Sequence, residues 1–177
     1  MIITTWNVNS IKVRLPAVLQ YLVEFEPDVL VLQETKTLDE NFPLHEINDA
    51  GYHAVFYGQK TYNGVAIISK SKPSSIEYNP IVTSAKEARS LAVMIDNIKI
   101  VNLYVVNGQS VGSDKYKYKM QWLKRLQSYA KSSISKSDNV ILLGDFNIAP
   151  TDDDVFDVEQ TKDQILCSSA ERSALKK

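Results

Sequence analysis

Apolar residues recur along the chain in short runs that alternate with longer stretches of helical spacing. The runs at Ile2–Trp6, Val29–Leu32 and Val140–Leu143 are short and mostly β-branched or aliphatic, so each predicts a strand. Leu15–Phe25 and Tyr116–Ile134 repeat apolar residues every three or four positions, which predicts two helices. Because strands and helices alternate, the pattern favours a layered α/β or α+β fold.

Two further pairs of strands are predicted in the middle of the chain. Tyr52–Tyr57 and Val65–Ser69 are separated by a segment that contains two glycines, and we predict a hairpin there. Ala92–Ile95 and Ile98–Val105 are separated only by an Asp-Asn pair, which is the clearest hairpin signal in the chain.

The predicted helices have recognisable ends and faces. Pro16 fits the first turn of the helix that is predicted to begin at Leu15. Ser168 with Glu171 fits a capping box, so a short helix is predicted to open at about Ser169. The face assigned to the core in the longest helix consists of Met120, Leu123, Gln127, Ala130 and Ile134.

Polar side chains stand at the ends of three predicted strands. Asn7 ends the first, Gln33 and Glu34 end the second, and Asp145 with Asn147 follows the last. In layered α/β folds, ligands bind outside the carboxyl ends of strands. If the three ends converge, they supply two carboxylates and two neutral amides. Such oxygen donors of low total charge suit Mg²⁺ or Mn²⁺.

Composition limits the remaining choices. The chain has 177 residues, 44% of them hydrophobic, and a net charge of −1, which is typical of one soluble domain and leaves room only for a local basic strip. Its single cysteine and two histidines lack the spacing of a zinc site. No signal sequence or membrane-spanning apolar run is visible, and we therefore expect a cytoplasmic protein.

Several motifs occur together in one order. They are Trp6–Ser10, Pro27–Lys36, Gly58–Lys60 with Gly64–Ala66, Asn102–Tyr104 with Asn107–Gly108, and Gly144–Asp152. In this order they resemble the exonuclease III-type apurinic/apyrimidinic (AP) endonucleases, within the DNase I-like superfamily of metal-dependent phosphodiesterases. The resemblance covers essentially the whole chain. It implies a DNase I-like sandwich of two packed β-sheets flanked by helices, forming a single domain over residues 1–177 that is incomplete at its C-terminus.

The resemblance also implies an activity and a site. The activity is that of a Mg²⁺- or Mn²⁺-dependent AP endonuclease and 3′-5′ exonuclease of base-excision repair, which cuts duplex DNA 5′ to an abasic site. The implied metal site consists of Asn7, Glu34, Asp145 and Asn147. The implied catalytic residues are Tyr104 at the scissile phosphate, Asp145 as general base and Asn147 beside the water or phosphate. The residues expected to contact DNA are Lys36, Asn107, Lys117 and Lys119, although the lysines of the long helix also fit a solvated face.

The chain departs from the family pattern in two places. Val106 stands where the tyrosine motif usually carries a proline. The family pattern continues beyond the last match at Arg172 into a segment with an aspartate and a Ser-Asp-His block, and neither His45 nor His53 lies in a matching segment. Two alternatives therefore stay open: a non-catalytic remnant that binds DNA or metal weakly, and a phosphodiesterase that acts on a non-DNA ester. We also expect uncovered sheet edges to permit self-association.

Overall fold

The structure is a computed structural model that describes residues 1–135 and 139–176. Its strands are β1 (Ile3–Asn7), β2 (Val29–Gln33), β3 (His53–Tyr57), β4 (Val65–Ser69), β5 (Ser74–Tyr78), β6 (Ser90–Ile95), β7 (Ile98–Tyr104) and β8 (Val140–Asp145). Its α-helices are α1 (Ile11–Phe25), α2 (Leu44–Asp49), α3 (Asp114–Ile134), α4 (Val158–Thr161) and α5 (Ser169–Leu175). Short 3₁₀ helices occupy Asp39–Asn41 and Asp152–Asp154. Within the described ranges, no helix has the length and apolar character needed to cross a membrane.

The strands form two four-stranded sheets with matching architecture. One sheet has the order β1-β2-β4-β3 and the other has the order β5-β6-β7-β8. Each contains one parallel pair at an edge, β1 with β2 and β7 with β8, and its other pairs are antiparallel. The edge strands β1 and β8 lie close to each other across the sandwich. Strand ends from both sheets therefore meet at one corner of the molecule.

Alternation along the strands divides the core into layers. In β2 every residue is buried, with Val29 and Val31 facing the opposite sheet while Leu30 and Leu32 pack with α1 and α2. Successive side chains of a strand point to opposite faces, so a strand covered on both sides is apolar throughout. The second sheet packs its outer face against α3 and α5 in the same way. The predicted sandwich of two sheets flanked by helices is confirmed.

A buried amide pair crosses the gap between the sheets. Asn102 of β7 is completely buried and accepts a hydrogen bond of 2.7 Å from Gln33 Nε2 of β2. Its own Nδ2 donates to the main-chain oxygens of Leu32 and Ala66, at 2.8 and 2.9 Å. Gln33 is also hydrogen-bonded to Thr5. These bonds satisfy polar groups that would be costly to bury alone, and they fix β7 against β2 and β4.

Most of the predicted elements are present, and the structure adds two short α-helices and one strand. Both predicted hairpins are antiparallel pairs, and the turn between β6 and β7 places Asp96 and Asn97 at φ 49° and 64°, as a two-residue hairpin turn requires. The capping box of Ser168 and Glu171 opens α5 as predicted. The sequence analysis missed α2, α4 and β5. Every residue of β5 is exposed and leaves no hydrophobic pattern, and α2 and α4 are only six and four residues long.

Two predictions about helices are wrong. The first helix begins at Ile11, so Pro16 lies inside it rather than in its first turn. The main-chain N–H of Ile11 donates to the carbonyl of Thr35, a tertiary contact that local sequence does not reveal. The buried face predicted for α3 differs from the face that the structure buries, because Ile134, assigned to the core, is 56% exposed. The side chains of α3 that are buried are Lys119, Trp122, Leu123, Leu126 and Ser133.

Replacing the central buried amide tests the link between the sheets. Asn102→Leu would remove three buried hydrogen bonds, one from Gln33 and two to main-chain carbonyls, so we expect the free energy of unfolding to fall by about 2 to 4 kcal/mol. Urea denaturation measures this change. Asn48→Leu, at an exposed position of α2, is the matched control and should stay within about 0.5 kcal/mol of the wild type. Equal effects of the two substitutions would show that the buried amide does not hold the sheets together.

Candidate active site

Asn7 joins two carboxylates at the corner where the strand ends meet. Its Nδ2 donates to Glu34 Oε1 and to Asp145 Oδ2, both at 2.8 Å. Asn7 is the last residue of β1, Glu34 follows β2, and Asp145 is the last residue of β8. The structure therefore brings together the three strand ends that the sequence analysis singled out, with one carboxylate from each sheet.

Glu34 is held in an ionised state by several donors. Its backbone is left-handed at φ 56°, and Lys36 Nζ lies 3.0 Å from its second carboxylate oxygen. Burial raises the pKa of Glu34, but hydrogen bonds from Asn7, Lys36 and Tyr104 outweigh burial and bring the pKa below its usual value. At neutral pH this carboxylate is consequently a fixed negative charge.

Tyr104 stands beside Glu34 as a protonated phenol. Burial, together with the negative charge of Glu34, raises the pKa of Tyr104 to about 12. The Arg89 guanidinium lies over the tyrosine ring at 4.8 Å from its centre, and Glu87 holds that guanidinium at 2.8 Å. The hydroxyl can therefore donate a hydrogen bond throughout the physiological pH range.

The loop after β8 orients Asp145 and Asn147 by local hydrogen bonds. Asp145 Oδ1 accepts from the main-chain N–H of Asn147 at 3.0 Å, and Asn147 has φ 49°. Asn147 Nδ2 donates to the Val105 carbonyl at 2.9 Å, while its Oδ1 accepts from Asn107 Nδ2 at 3.3 Å. This short loop is thus tied to the segment that follows Tyr104.

Glycine at position 144 is required by the close contact of β8 with β7. Its φ is 137°, and a Cβ there would lie 2.0 Å from the carbonyl oxygen of Leu103. Any other residue would push the two strands apart at Tyr104 and Asp145, which are paired in register. Gly144 therefore sets the distance between the tyrosine and the aspartate.

The donor set fits a hard divalent cation. Glu34 and Asp145 supply two carboxylates, and Mg²⁺ is usually bound by one or two carboxylates together with waters. Asn7 presents its nitrogen to these groups, while its Oδ1 accepts from the N–H of Asn9, so in this structure Asn7 orients the carboxylates. Within residues 1–135 and 139–176, no cluster of three or more His, Cys, Asp or Glu side chains is placed to hold a metal.

The residues expected to contact DNA have different surroundings. Lys36 and Asn107 lie at the site, next to Glu34 and Asn147 respectively. Lys117 is exposed on α3 and pairs with Asp114, and its role in DNA binding stays a prediction. Lys119 has no exposed side-chain surface. The expectation that Lys119 lies on a solvent-facing basic strip is therefore wrong.

Two residues of the site escaped the sequence analysis. Arg89 lies just before β6, and the register set by the Asp96-Asn97 turn puts it opposite Tyr104, so extending the predicted hairpin by three residues was the available signal. Glu171 was noticed only as part of a capping box, whereas its carboxylate also pairs with Lys119 inside the protein. A basic residue at an apolar position of an amphipathic helix was the available signal for this pair.

Comparison with known proteins shows the family to which the chain is similar. Residues 4–172 match the endonuclease/exonuclease/phosphatase family. Exodeoxyribonuclease III of Haemophilus influenzae is 32% identical over 159 residues, which are 85% of this chain and 59% of that protein. The chain therefore spans less than two thirds of the length of this relative.

Solved structures show the same fold at high similarity. The 3′ phosphatase NExo from Neisseria, bound to a product DNA hairpin, is 42% identical with a TM-score of 0.95, covering 98% of this chain and 68% of that one. An AP endonuclease from Archaeoglobus fulgidus is 37% identical with a TM-score of 0.92, covering 99% of this chain and 69% of that one. The similarity confirms the DNase I-like fold implied by the sequence motifs.

Changing Asn7 to a carboxylate tests its role between the two acids. Asn7→Asp would replace a donor by a third negative charge, so we expect a loss of about 1 to 3 kcal/mol of unfolding free energy at pH 7 in EDTA. The crowded carboxylates would have raised pKa values in the folded state, so the deficit relative to the wild type should shrink as the pH falls from 7 to 4. Thermal denaturation across this range measures both effects.

The matched control for this prediction adds the same charge elsewhere. Gln20→Glu lies on the exposed side of α1 and should be close to neutral at both pH values. A deficit in Asn7→Asp that does not change with pH would contradict the placement of Asn7 between the carboxyl groups of Glu34 and Asp145.

Proposed function

Because the chain belongs to the endonuclease/exonuclease/phosphatase family, we propose that it hydrolyses DNA phosphodiester bonds as a metal-dependent AP endonuclease and 3′-5′ exonuclease. The observation that carries this proposal is the Asn7 amide, which holds Glu34 and Asp145 together beside the Tyr104 hydroxyl. Two carboxylates that hold a divalent cation, with a phenol donor beside them, suit an anionic phosphate ester better than an uncharged substrate. The duplex DNA substrate would carry abasic sites or 3′ ends.

Glu34 and Asp145 are the residues that would hold the metal, either Mg²⁺ or Mn²⁺. A bound divalent cation supplies positive charge where negative charge develops on the phosphoryl oxygens and on the leaving oxygen. The fixed donors around Glu34 keep its carboxylate ionised and oriented for this purpose. The choice between the two metals depends on ligand number and flexibility, and two carboxylates with amide neighbours serve either.

The protein's own groups perform the remaining steps. Asp145 is ionisable, lies at the strand end and is placed to take a proton from the attacking water at a carboxylate oxygen. Asn147 is immobilised through Val105 and Asn107, so its amide can hold that water or a phosphate oxygen. Tyr104 stays protonated because its pKa is about 12, and its one O–H would turn from Glu34 to donate a hydrogen bond to a phosphate oxygen.

A second candidate function is removal of a phosphate from a DNA 3′ end. The Neisseria protein, whose structure is described as that of a 3′ phosphatase, is 42% identical to this chain, against 37% for the Archaeoglobus AP endonuclease. In both reactions water attacks phosphorus and a P–O bond breaks, of a phosphodiester in one and of a phosphomonoester in the other, so the same metal site would serve either. Two alternatives differ from both of these functions: a non-catalytic remnant that binds DNA or metal, and a phosphodiesterase that acts on a non-DNA ester. A panel of substrates separates them from a DNA-cleaving enzyme.

Metal binding can be tested without measuring catalysis. We expect the wild-type chain to bind Mn²⁺, followed by electron paramagnetic resonance of the free ion, and Glu34→Gln to bind it about 10- to 100-fold more weakly. The neutral amide keeps the size of the side chain and removes the charge. Glu46→Gln, an exposed residue of α2, is the control and should bind as the wild type does. Equal binding by all three proteins would contradict the metal site.

Cleavage is tested on duplexes that carry one abasic site, a 3′-phosphate or a recessed 3′-hydroxyl, each with Mg²⁺ and with EDTA. We expect Mg²⁺-dependent cleavage of DNA, reduced about 10²- to 10⁴-fold in Asp145→Asn because the general base is lost. Asp153→Asn, an exposed residue of the same loop region, is the matched control and should retain activity.

The pattern of substrates decides among the candidate functions. Incision at the abasic site supports the AP endonuclease, and release of inorganic phosphate alone supports the 3′ phosphatase. Metal binding without any DNA cleavage, by soluble and folded protein, would show that this chain is a non-catalytic remnant. Hydrolysis of bis(p-nitrophenyl) phosphate without DNA cleavage would instead favour a non-DNA ester.

A further inference from the structure

A lysine is buried on the inner face of α3, directly behind the candidate site. The side chain of Lys119 has no exposed surface, and its Nζ donates to the main-chain oxygens of Asn147, at 2.6 Å, and Asn107, at 3.1 Å. Its third partner is the carboxylate of Glu171, at 2.5 Å. An ammonium group has three N–H donors, so every donor of Lys119 has an acceptor.

Glu171 completes this buried pair from α5. Its side chain has no exposed surface and also accepts from the main-chain N–H groups of Leu166 and Ser168, at 3.2 and 3.1 Å. The Ser168 hydroxyl donates to the same carboxylate at 2.6 Å. Across the described parts of the chain, no buried side-chain nitrogen or oxygen lacks a hydrogen-bond partner. The pair therefore has the saturated environment that two buried charges need.

The loop after β7 is shaped to close onto the lysine. Gly108 has φ 97°, and a Cβ there would lie 3.0 Å from Cδ of Lys119 and 2.9 Å from Cδ1 of Ile165. A side chain at this position would strain the backbone at this φ and would have to displace Ile165 or the lysine stem. The absence of one lets the Asn107 carbonyl reach the ammonium. This is a second observation, independent of the ion pair, that ties the loop to Lys119.

Burying this pair is costly if its only purpose is to hold α3 against α5. Burial lowers the pKa of Lys119, although the Glu171 carboxylate opposes that shift. Well-packed apolar residues of similar size often replace a buried ion pair without loss of stability. The distinctive property of the lysine is that two of its three bonds reach main-chain oxygens of the site loops, which no apolar side chain can bind.

We propose that Lys119, with Glu171 as its counter-charge, is a positioning residue that locks the Asn107 and Asn147 loops together. The consequence of this lock for catalysis rests on the proposed function. Asn147 lies two residues after Asp145 and Asn107 lies three residues after Tyr104, so moving either loop would move a residue of the candidate site. The side-chain contact between Asn107 and Asn147, at 3.3 Å, is weak by itself. The ammonium beneath it provides a charged bond to each loop and so sets their separation.

Hydrogen exchange measured by mass spectrometry tests this proposal without any need for activity. In Lys119→Met we expect amide exchange to accelerate about tenfold or more in peptides covering residues 105–110 and 145–150. Peptides from β6 should exchange as in the wild type. Lys131→Met, an exposed residue of the same helix, is the control and should leave all of these peptides unchanged.

The double variant Lys119→Met/Glu171→Gln separates positioning from stability. It leaves no unpaired buried charge, and glutamine keeps the capping box of α5, so the unfolding midpoint should recover towards the wild type. We expect fast exchange in the two loops to persist, because the ammonium is still missing. If Lys119→Met does not fold, the double variant carries the comparison alone. Loop protection that returns with stability, or exchange that rises equally in β6, would overturn the proposal.

Kinetics then connect the loops to the reaction. If the wild-type chain cleaves DNA, the double variant should lose kcat about tenfold or more with little change in KM, and Lys119→Arg should restore part of kcat. A change confined to KM would contradict a role in positioning Asp145 and Asn147. If the wild type cleaves nothing, the proposed function fails, and the exchange data still decide whether Lys119 locks the loops.

Discussion

The alignment of the two sheets, and with it the geometry of the candidate active site, depends on a buried pair of amide side chains between them. Gln33 and Asn102 come from different sheets, and their hydrogen bond of 2.7 Å sets how β2 faces β7. Glu34 immediately follows the first of them, and Tyr104 lies two residues after the second. A shift between the sheets would therefore move the carboxylate relative to the phenol. Hydrophobic packing between the sheets is non-directional, whereas a network of buried amides permits only one alignment.

The site is built so that its negative charges exist before any cation arrives. Two carboxylates near each other repel, which normally raises the pKa of one of them. Here the Asn7 amide donates to both, and the Lys36 ammonium and the Tyr104 hydroxyl add donors to Glu34. The donors offset the repulsion between the two carboxylates, so the pKa of Glu34 stays below its usual value. The carboxylates are thereby preorganised, and little rearrangement is needed to bind a divalent cation.

Sequence reasoning identified the convergent strand ends because their signal is local. A short apolar run followed by a polar residue defines both a strand and the end from which Asn7, Glu34 or Asp145 projects. The same reasoning placed Lys119 on an exposed strip, since a lysine is ordinarily found in solvent. The partner that justifies its burial, Glu171, lies far along the chain and is brought near only by the packing of α5 on α3. Arg89 was missed for a different reason: the predicted strand began at Ala92, three residues after the position that lies opposite Tyr104 in the hairpin register.

The loop that carries Asn147 is held on two sides by adjacent residues of one short helix. Glu171 acts on it through Lys119, while Arg172 donates to the carbonyls of Ala149 and Thr151, both at 3.0 Å. An isolated helix as short as α5 would not be stable in water. It persists because its capping box and these charged hydrogen bonds are formed together with the loop. The dependence is mutual, since Lys119 and Arg172 bind main-chain carbonyls of the loop, so the end of β8 and α5 form one cooperative unit behind the candidate metal ligands.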